Sequence, residues 1–220
     1  MSRGDLSNTI HIIDTSVANI ASLRAAFDRL ERSTQLTTDP EQVLSAKHLV
    51  LPGVGAFSAG LGRLRELEVV HAIKQRIQHD RPTLAVCLGM QMLCESSEES
   101  PGVDGLGILP FQVRRFSTDL IVPQLGWNTV QPQIENRFIE VGEAYFANSF
   151  RIDSSNDPDE NGQSANNASD FDPVWQHAET DYGGKFISSI WRGNVLACQF
   201  HPELSGAWGL KLLKRWVDLC

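Results

Sequence analysis

The stretch "TLAVCLGMQMLCESS", residues 83–97, changes character at a single residue. "TLAV" (83–86) is a short apolar run of the kind that fills a strand buried on both faces, and "GMQMLCESS" (89–97) reads as the opening of a helix. Cys87 stands on the join. A strand running straight into a helix places the residue between them at the carboxyl end of a parallel strand, where open α/β sheets put their sites. The pattern is that of a nucleophile elbow, in which small residues flank a crowded turn. Gly89, two residues after Cys87, is such a residue, and Ala85, two residues before it, is small. Unpaired N–H groups in a helix's first turn favour a thiolate and can receive a developing oxyanion. Cysteine is also commonly a small buried hydrophobe, so the stretch alone leaves both roles open.

Working outward, the first half alternates strand-like and helix-like segments. "TIHIID" (9–14) is apolar and β-branched, and "SVANIASLRAAFDRL" (16–30) carries apolar residues at helical spacing with Ser16 at its N-cap. "STQLTTD" (33–39) reads as a strand, "PEQVLSA" (40–46) as a short helix begun by Pro40, and "HLVLPGVGAF" (48–57) as a strand ending in a glycine-rich turn. Residues 58–80 are amphipathic and helical in one or two pieces. This alternation predicts an α/β fold with an open, mostly parallel central sheet covered by helices on both faces. The second half reads as strands at 107–116, 128–132, 143–149, 184–191 and 195–200, giving a smaller antiparallel region, and then an amphipathic helix over 206–220. The 220 residues suffice for a single domain. Within it, residues 153–173 hold six acidic and no basic residues and almost no apolar ones. Such a segment cannot offset its own ordering entropy by burial, which predicts a mobile acidic insertion.

Composition narrows the function. A net charge of −8 disfavours nucleic acid and anionic membranes, which reward basic patches. No run is long and apolar enough to span a bilayer, and "MSRGDLSNTI" lacks the apolar centre of a secretory signal. The four cysteines, Cys87, Cys94, Cys198 and Cys220, form neither a CxxC pair nor a dense framework, so no metal site is expected and a reducing compartment, the cytoplasm, is. Cys94, seven residues after Cys87, would share its helix face and sit in the core, and Cys198 would be buried and inert.

A nucleophilic cysteine needs a base, and "LACQFHPELSG" (196–206) offers one. His201 follows an apolar strand, Pro202 holds it extended, and Glu203 lies two residues on, where continued extension would put both side chains on one face. His201 would then take the thiol proton while Glu203 fixes the imidazole tautomer. The bland alternative is a histidine ending a strand beside a solvated glutamate. "LPGVGAF" (51–57) adds glycines after a strand, which can aim backbone N–H groups into a cleft, bind phosphate, or simply turn.

"PGVGAF", "CLGMQ", "GWN" (126–128), "YF" (145–146) and "QFHPELSG" occur in the order found in class I, triad-type glutamine amidotransferases, and the chain resembles that family from about residue 9 to its end, outside the insertion. "PGVGAF" with "PQLGWN" resembles its histidine-pathway branch, the glutaminase subunits of imidazole glycerol phosphate synthase. The resemblance implies catalytic Cys87, His201 and Glu203, and an oxyanion hole from Leu88 and the strand Gly53, Val54 and Gly55. It implies glutamine contacts at Gly89 and Gln91, and no metal or organic cofactor. It further implies a (β/α)₈-barrel cyclase partner that receives the ammonia. Two departures fall on partner-facing segments, "DTSVANIASL" lacking the family's glycines around Asn19 and Leu204 standing where a lysine is common; a third is Asn148, where a histidine is usual. The readings left beside it are a glutaminase for anthranilate, carbamoyl phosphate or guanylate synthesis, a non-catalytic amidotransferase-like binding subunit, and a Cys–His peptidase-like hydrolase.

Overall fold

The computed structural model describes residues 9–15, 19–117, 119–153 and 175–220. The acidic segment expected to be a mobile insertion lies almost wholly outside these residues, as does the expected N-cap Ser16. The first half follows the alternation of the sequence. Strand β1 (Thr9–Ile13) leads to α1 (Ile20–Arg29), whose N-cap is Asn19, its side chain accepting from the Ser22 N–H. β2 (Ser33–Thr37) leads to α2 (Pro40–Ser45), capped by the Asp39 carboxylate on the Glu41 N–H. β3 (His48–Leu51) is followed by two helices, α3 (Phe57–Glu66) and α4 (Val70–Gln78), and β4 (Thr83–Val86) runs into α5 (Leu88–Met92).

The expected long helix after Cys87 is cut short. α5 lasts five residues, and the chain then turns into β5 (Cys94–Ser97), which pairs in parallel with β6 (Leu109–Arg115). Cys94 is therefore a strand residue and not a helical neighbour of Cys87, although it is fully buried as expected. The remaining elements are β7 (Gln124–Pro132), β8 (Gly142–Asn148), β9 (Phe150–Asp153), β10 (Gln176–Asp181), β11 (Lys185–Arg192), β12 (Val195–Cys198), a 3₁₀ turn (Pro202–Leu204) and α6 (Gly206–Leu219). β5, β9 and β10 are strands the sequence reading did not anticipate.

The main path of the sheet runs β2-β1-β3-β4-β12-β11-β10-β7-β8. Its first five strands are mutually parallel; from β12 onward the pairings are antiparallel. The antiparallel part is thus continuous with the parallel part, while β5, β6 and β9 branch from β11. Alternate residues of the central strands feed two cores. Ile13, Leu49, Leu51 and Ala85 pack with Val43 of α2, Leu61 of α3 and Ile73 and Ile77 of α4. Ile10, Ile12, Val50, Leu84 and Val86 pack with Leu23 and Phe27 of α1 and Leu213 and Trp216 of α6. A strand buried on both faces has to be apolar throughout, which is why "HLVL" and "TLAV" carry no outward polar residue after their first.

The amino-terminal ends of β3 and β4 are stitched by a buried cation. Arg76 of α4 is fully buried and donates to the carbonyls of Val43, Leu44, Ala46 and Pro82 at 2.7–3.0 Å. These donors satisfy the carbonyls of Val43, Leu44 and Ala46 at the end of α2, and burial lowers the guanidinium pKa to about 9. This anchor ties the amino-terminal ends of β3 and β4, at the opposite end of those strands from the candidate site.

Candidate active site

Cys87 sits where β4 ends, with φ 53° and ψ −112°, a backbone conformation that non-glycine residues rarely hold. The turn is fixed from three sides. The Cys87 N–H donates to the Cys198 carbonyl at 2.7 Å, the Gln91 N–H donates to the Cys87 carbonyl at 3.2 Å, and the Leu88 N–H donates to the Gly53 carbonyl at 3.3 Å. Strained geometry at a polar residue persists only where its surroundings over-determine it.

The two glycines near it serve approach. A Cβ at Gly89 would fall well inside contact distance of the Leu51 carbonyl oxygen, and one at Gly53 would meet Leu88 Cβ at 2.8 Å and the Gly89 nitrogen at 2.9 Å. Gly89 therefore packs α5 against the end of β3. It does not line the cavity beside Cys87, where the sequence reading expected a glutamine contact. Gly55, with φ +96°, is the member of the "PGVG" run whose conformation itself calls for glycine.

His201 and Glu203 reach the sulfur from the end of β12. His201 is extended (φ −100°, ψ 95°), as Pro202 requires, but Glu203 lies in the 3₁₀ turn and not on a continued strand. The turn brings its carboxylate back, and Oε1 stands 2.9 Å from His201 Nδ1. Both side chains are buried, at 5% and 2% exposure, so the carboxylate is held by the ring and not by water. The Ser205 hydroxyl donates to the His201 carbonyl at 2.6 Å and accepts from the Tyr145 N–H, and the His201 N–H donates to the Tyr145 carbonyl at 2.9 Å. His201 and Cys87 line the same cavity. Burial alone would lower the imidazole pKa; hydrogen bonds and charge from Cys87 and Glu203 outweigh it and raise the value to about 10.

These groups open onto a cavity of about 290 Å³ lined by Val54, Gly55, Cys87, Leu88, Gln91, Glu99, Ala147, Asn148, Ser149, Phe150 and His201. Of the residues singled out in the sequence, Val54, Gly55, Cys87, Leu88, Gln91 and His201 line it; Gly53, Gly89 and Glu203 support those that do. Three polar residues were missed in this role. Gln199, 1% exposed, donates from Nε2 to Cys87 Sγ at 3.7 Å. Glu99 accepts the Phe57 N–H at 2.7 Å at the start of α3 and borders the cavity. Asn148 donates to the Phe150 carbonyl at 2.9 Å, and its buried Oδ1 has no hydrogen-bond partner. The alternation Gln199, His201 at a strand end is a signal that could have found the first; nothing local to Glu99 or Asn148 announces them. A larger depression of about 570 Å³ between α1 and α6 is bordered by Arg29, Arg32, Lys214 and Asp218, and holds no nucleophile.

The fold and the sequence agree in their likenesses. A solved structure of a glutamine amidotransferase superposes with a TM-score of 0.67 at 16% identity, covering 96% of this chain and 97% of that one. The glutaminase domain of Trypanosoma brucei CTPS with bound acivicin superposes at 0.65 and 15% identity, over 96% and 93%. In sequence the chain is 38% identical over 215 residues to the imidazole glycerol phosphate synthase subunit HisH of Escherichia coli K12, covering 94% of this chain and 98% of that one. It is also 38% identical to the chloroplastic imidazole glycerol phosphate synthase hisHF of Arabidopsis thaliana, covering 96% of this chain but 34% of the plant protein. The family profile described as glutamine amidotransferase class-I matches residues 11–218, and the chain belongs to that family.

Proposed function

We propose that this chain is the glutamine-hydrolysing subunit of an imidazole glycerol phosphate synthase, supplying ammonia to a cyclase partner. The observation that carries the proposal is the convergence of Cys87 and His201, far apart in the chain, on one cavity at the carboxyl ends of β4 and β12, with Glu203 holding the His201 ring. The relatives at 33–38% identity over nearly their whole length, named as HisH subunits, support the histidine branch over the other synthases.

In this reading His201 holds the proton that Cys87 gives up. The thiolate attacks the side-chain carbonyl carbon of glutamine, a C–S bond forms, and the carbonyl electrons move onto oxygen. As the tetrahedral adduct collapses the C–N bond breaks, and the nitrogen leaves as ammonia with the proton from His201. Water, deprotonated by the same ring, then cleaves the thioester to glutamate. Glu203 stays ionised, holds Nδ1 and balances the buried imidazolium. The oxyanion calls on the Leu88 N–H, which here is committed to the Gly53 carbonyl. To receive the oxyanion that donor has to part from Gly53, and the glycines on either side of Val54 give the peptide between them room to turn. Among the residues lining the cavity, Glu99 carries a carboxylate and Asn148 a side-chain carbonyl, acceptors suited to an α-ammonium group, and Gln91 lines it too. In this reading the hydrolysis draws on the chain's own side chains and backbone together with water.

Apolar surface next to the site supports a docking face for the partner. Trp127 is 57% exposed and Leu125, two residues before it on the same face of β7, 66%. The Trp127 ring meets Tyr145 edge-on at 6.2 Å and lies over Gly206, just beyond the exposed Leu204. A cyclase docking there would cover this rim, with Leu204 making an apolar contact where relatives commonly carry a lysine. The test measures glutamate and imidazole glycerol phosphate in the presence of a histidine-type cyclase. Wild type should make both from glutamine; Cys87→Ala should make product only from added ammonium salt. Glutamine turnover that the cyclase and its nucleotide leave unchanged would count against this pairing, and hydrolysis of peptides but not glutamine would overturn the proposal.

A further inference from the structure

The chain of amides behind Cys87 has only one consistent orientation. The Phe150 carbonyl oxygen can only accept, so the Gln91 group 3.3 Å from it is Nε2. That nitrogen also lies 2.8 Å from the Gln199 side chain, which must therefore present Oε1 to it. Gln199 is left with its Nε2 toward Cys87 Sγ, at 3.7 Å. Its backbone is held independently, the N–H donating to the Ser188 carbonyl at 2.9 Å. A buried primary amide aimed at a sulfur by two acceptors in series is a built arrangement.

We infer that Gln199 donates a hydrogen bond to the Cys87 sulfur and stabilises the thiolate that attacks glutamine, and that Gln91 is the positioning residue that keeps the amide facing that way. The inference rests on the reaction proposed above. Gln199 transfers no proton. As the C–S bond forms, charge leaves the sulfur for the oxyanion and this hydrogen bond weakens, so its action falls on the resting enzyme. A donor of this kind enlarges the thiolate fraction while making each thiolate somewhat less nucleophilic. The other charged groups around the sulfur are His201 beside it, Glu203 behind the ring and Glu99 across the cavity. All three stay in place in the variants below.

The signature is a pH profile with a crossover. Alkylation of Cys87 by iodoacetamide, followed by mass spectrometry of the Cys87 peptide, reads thiolate reactivity with no glutamine present. In Gln199→Met the rate near pH 6 should fall about three- to tenfold, while the alkaline plateau should equal or exceed wild type. Gln199→Glu, which replaces the donor by a carboxylate whose charge repels a thiolate, should lose more, and Gln91→Leu, which frees the Gln199 amide to rotate, should give a smaller loss with the same crossover. A profile superimposable on wild type would overturn the inference, and so would a uniform loss at every pH, which is what a merely structural role produces. Should Gln199→Met not fold, Gln199→Glu and Gln91→Leu decide on the same criteria. Glutamine turnover by Cys87→Ala separates the two levels: if it persists, the proposed reaction itself falls.

Discussion

Cys87 is where sequence, backbone and chemistry coincide. Its φ of 53° with ψ −112° costs about 1–3 kcal/mol at a residue with a Cβ, and glycine alone adopts it freely. Cys87→Gly and Cys87→Ala should both abolish glutamine hydrolysis, yet the glycine variant should be the more stable by about 1 kcal/mol in chemical denaturation. A less stable Cys87→Gly would mean the turn stores no strain. Cys87 and His201 were legible as candidates because each stands at the end of an apolar strand, and the family resemblance is what paired them. The Gln91–Gln199 pairing, Glu99 and Asn148 were not, since they meet only through the sheet. A second residue-scale consequence concerns His48, buried edge-on against Trp216 at 5.2 Å. Burial first, then the nearby cations Lys47, Arg32 and Arg76, lowers its pKa to about 4. The unfolded chain, with an ordinary value of about 6.5, binds more protons in the interval. Stability is therefore complete above pH 6.5 and declines as pH falls toward 4, by up to about 2–3 kcal/mol. His201 acts with the opposite sign: its raised value adds stability below pH 6.5 that is lost as pH rises toward 10. Denaturation of His48→Phe at pH 7 and pH 5 should show a smaller acid loss than wild type; an equal loss would put the acid sensitivity elsewhere.

At the scale of elements, the elbow depends on how closely α5 approaches β3. The space left by Gly89 is bounded by the Leu51 carbonyl, a backbone atom that cannot rotate aside. Gly89→Ala should therefore cost at least about 2 kcal/mol, seen as a lower melting temperature, and should impair turnover by moving Cys87. An alanine variant with unaltered stability and activity would show the two elements to be separable. The helix over 89–97 was misread because "GMQMLC" suits a helix locally, and the pairing of Cys94, Ser96 and Ser97 with Leu109, Gln112 and Val113 is a contact the local pattern cannot announce. β10 escaped for the opposite reason. "QHAETD" is polar, yet it lies between β11 and β7 with Glu179 and Thr180 buried, Thr180 Oγ1 donating to the Thr129 carbonyl at 2.9 Å. Polar burial of that kind is invisible to a reading built on hydrophobic alternation.

For the molecule as a whole, the parallel half was readable because both its faces are covered, which makes its strands apolar and separates them by helices. The antiparallel half presents one side to solvent at β7 and β8, and there exposed apolar residues carry information about a partner instead of a core. Trp127→Ser should leave the melting temperature within about 2 °C of wild type, because the ring is largely exposed, and should weaken association with the cyclase at least about tenfold by titration calorimetry. Unchanged association would place the partner on another face. The account as a whole turns on a covalent bond between the sulfur of Cys87 and the substrate. Acid-quenching the enzyme during turnover of glutamine with its cyclase, then measuring the mass of the Cys87 peptide, should reveal a glutamyl thioester on that residue and on no other cysteine. Sustained glutamate release with Cys87 unmodified throughout, and undiminished in Cys87→Ala, would contradict it.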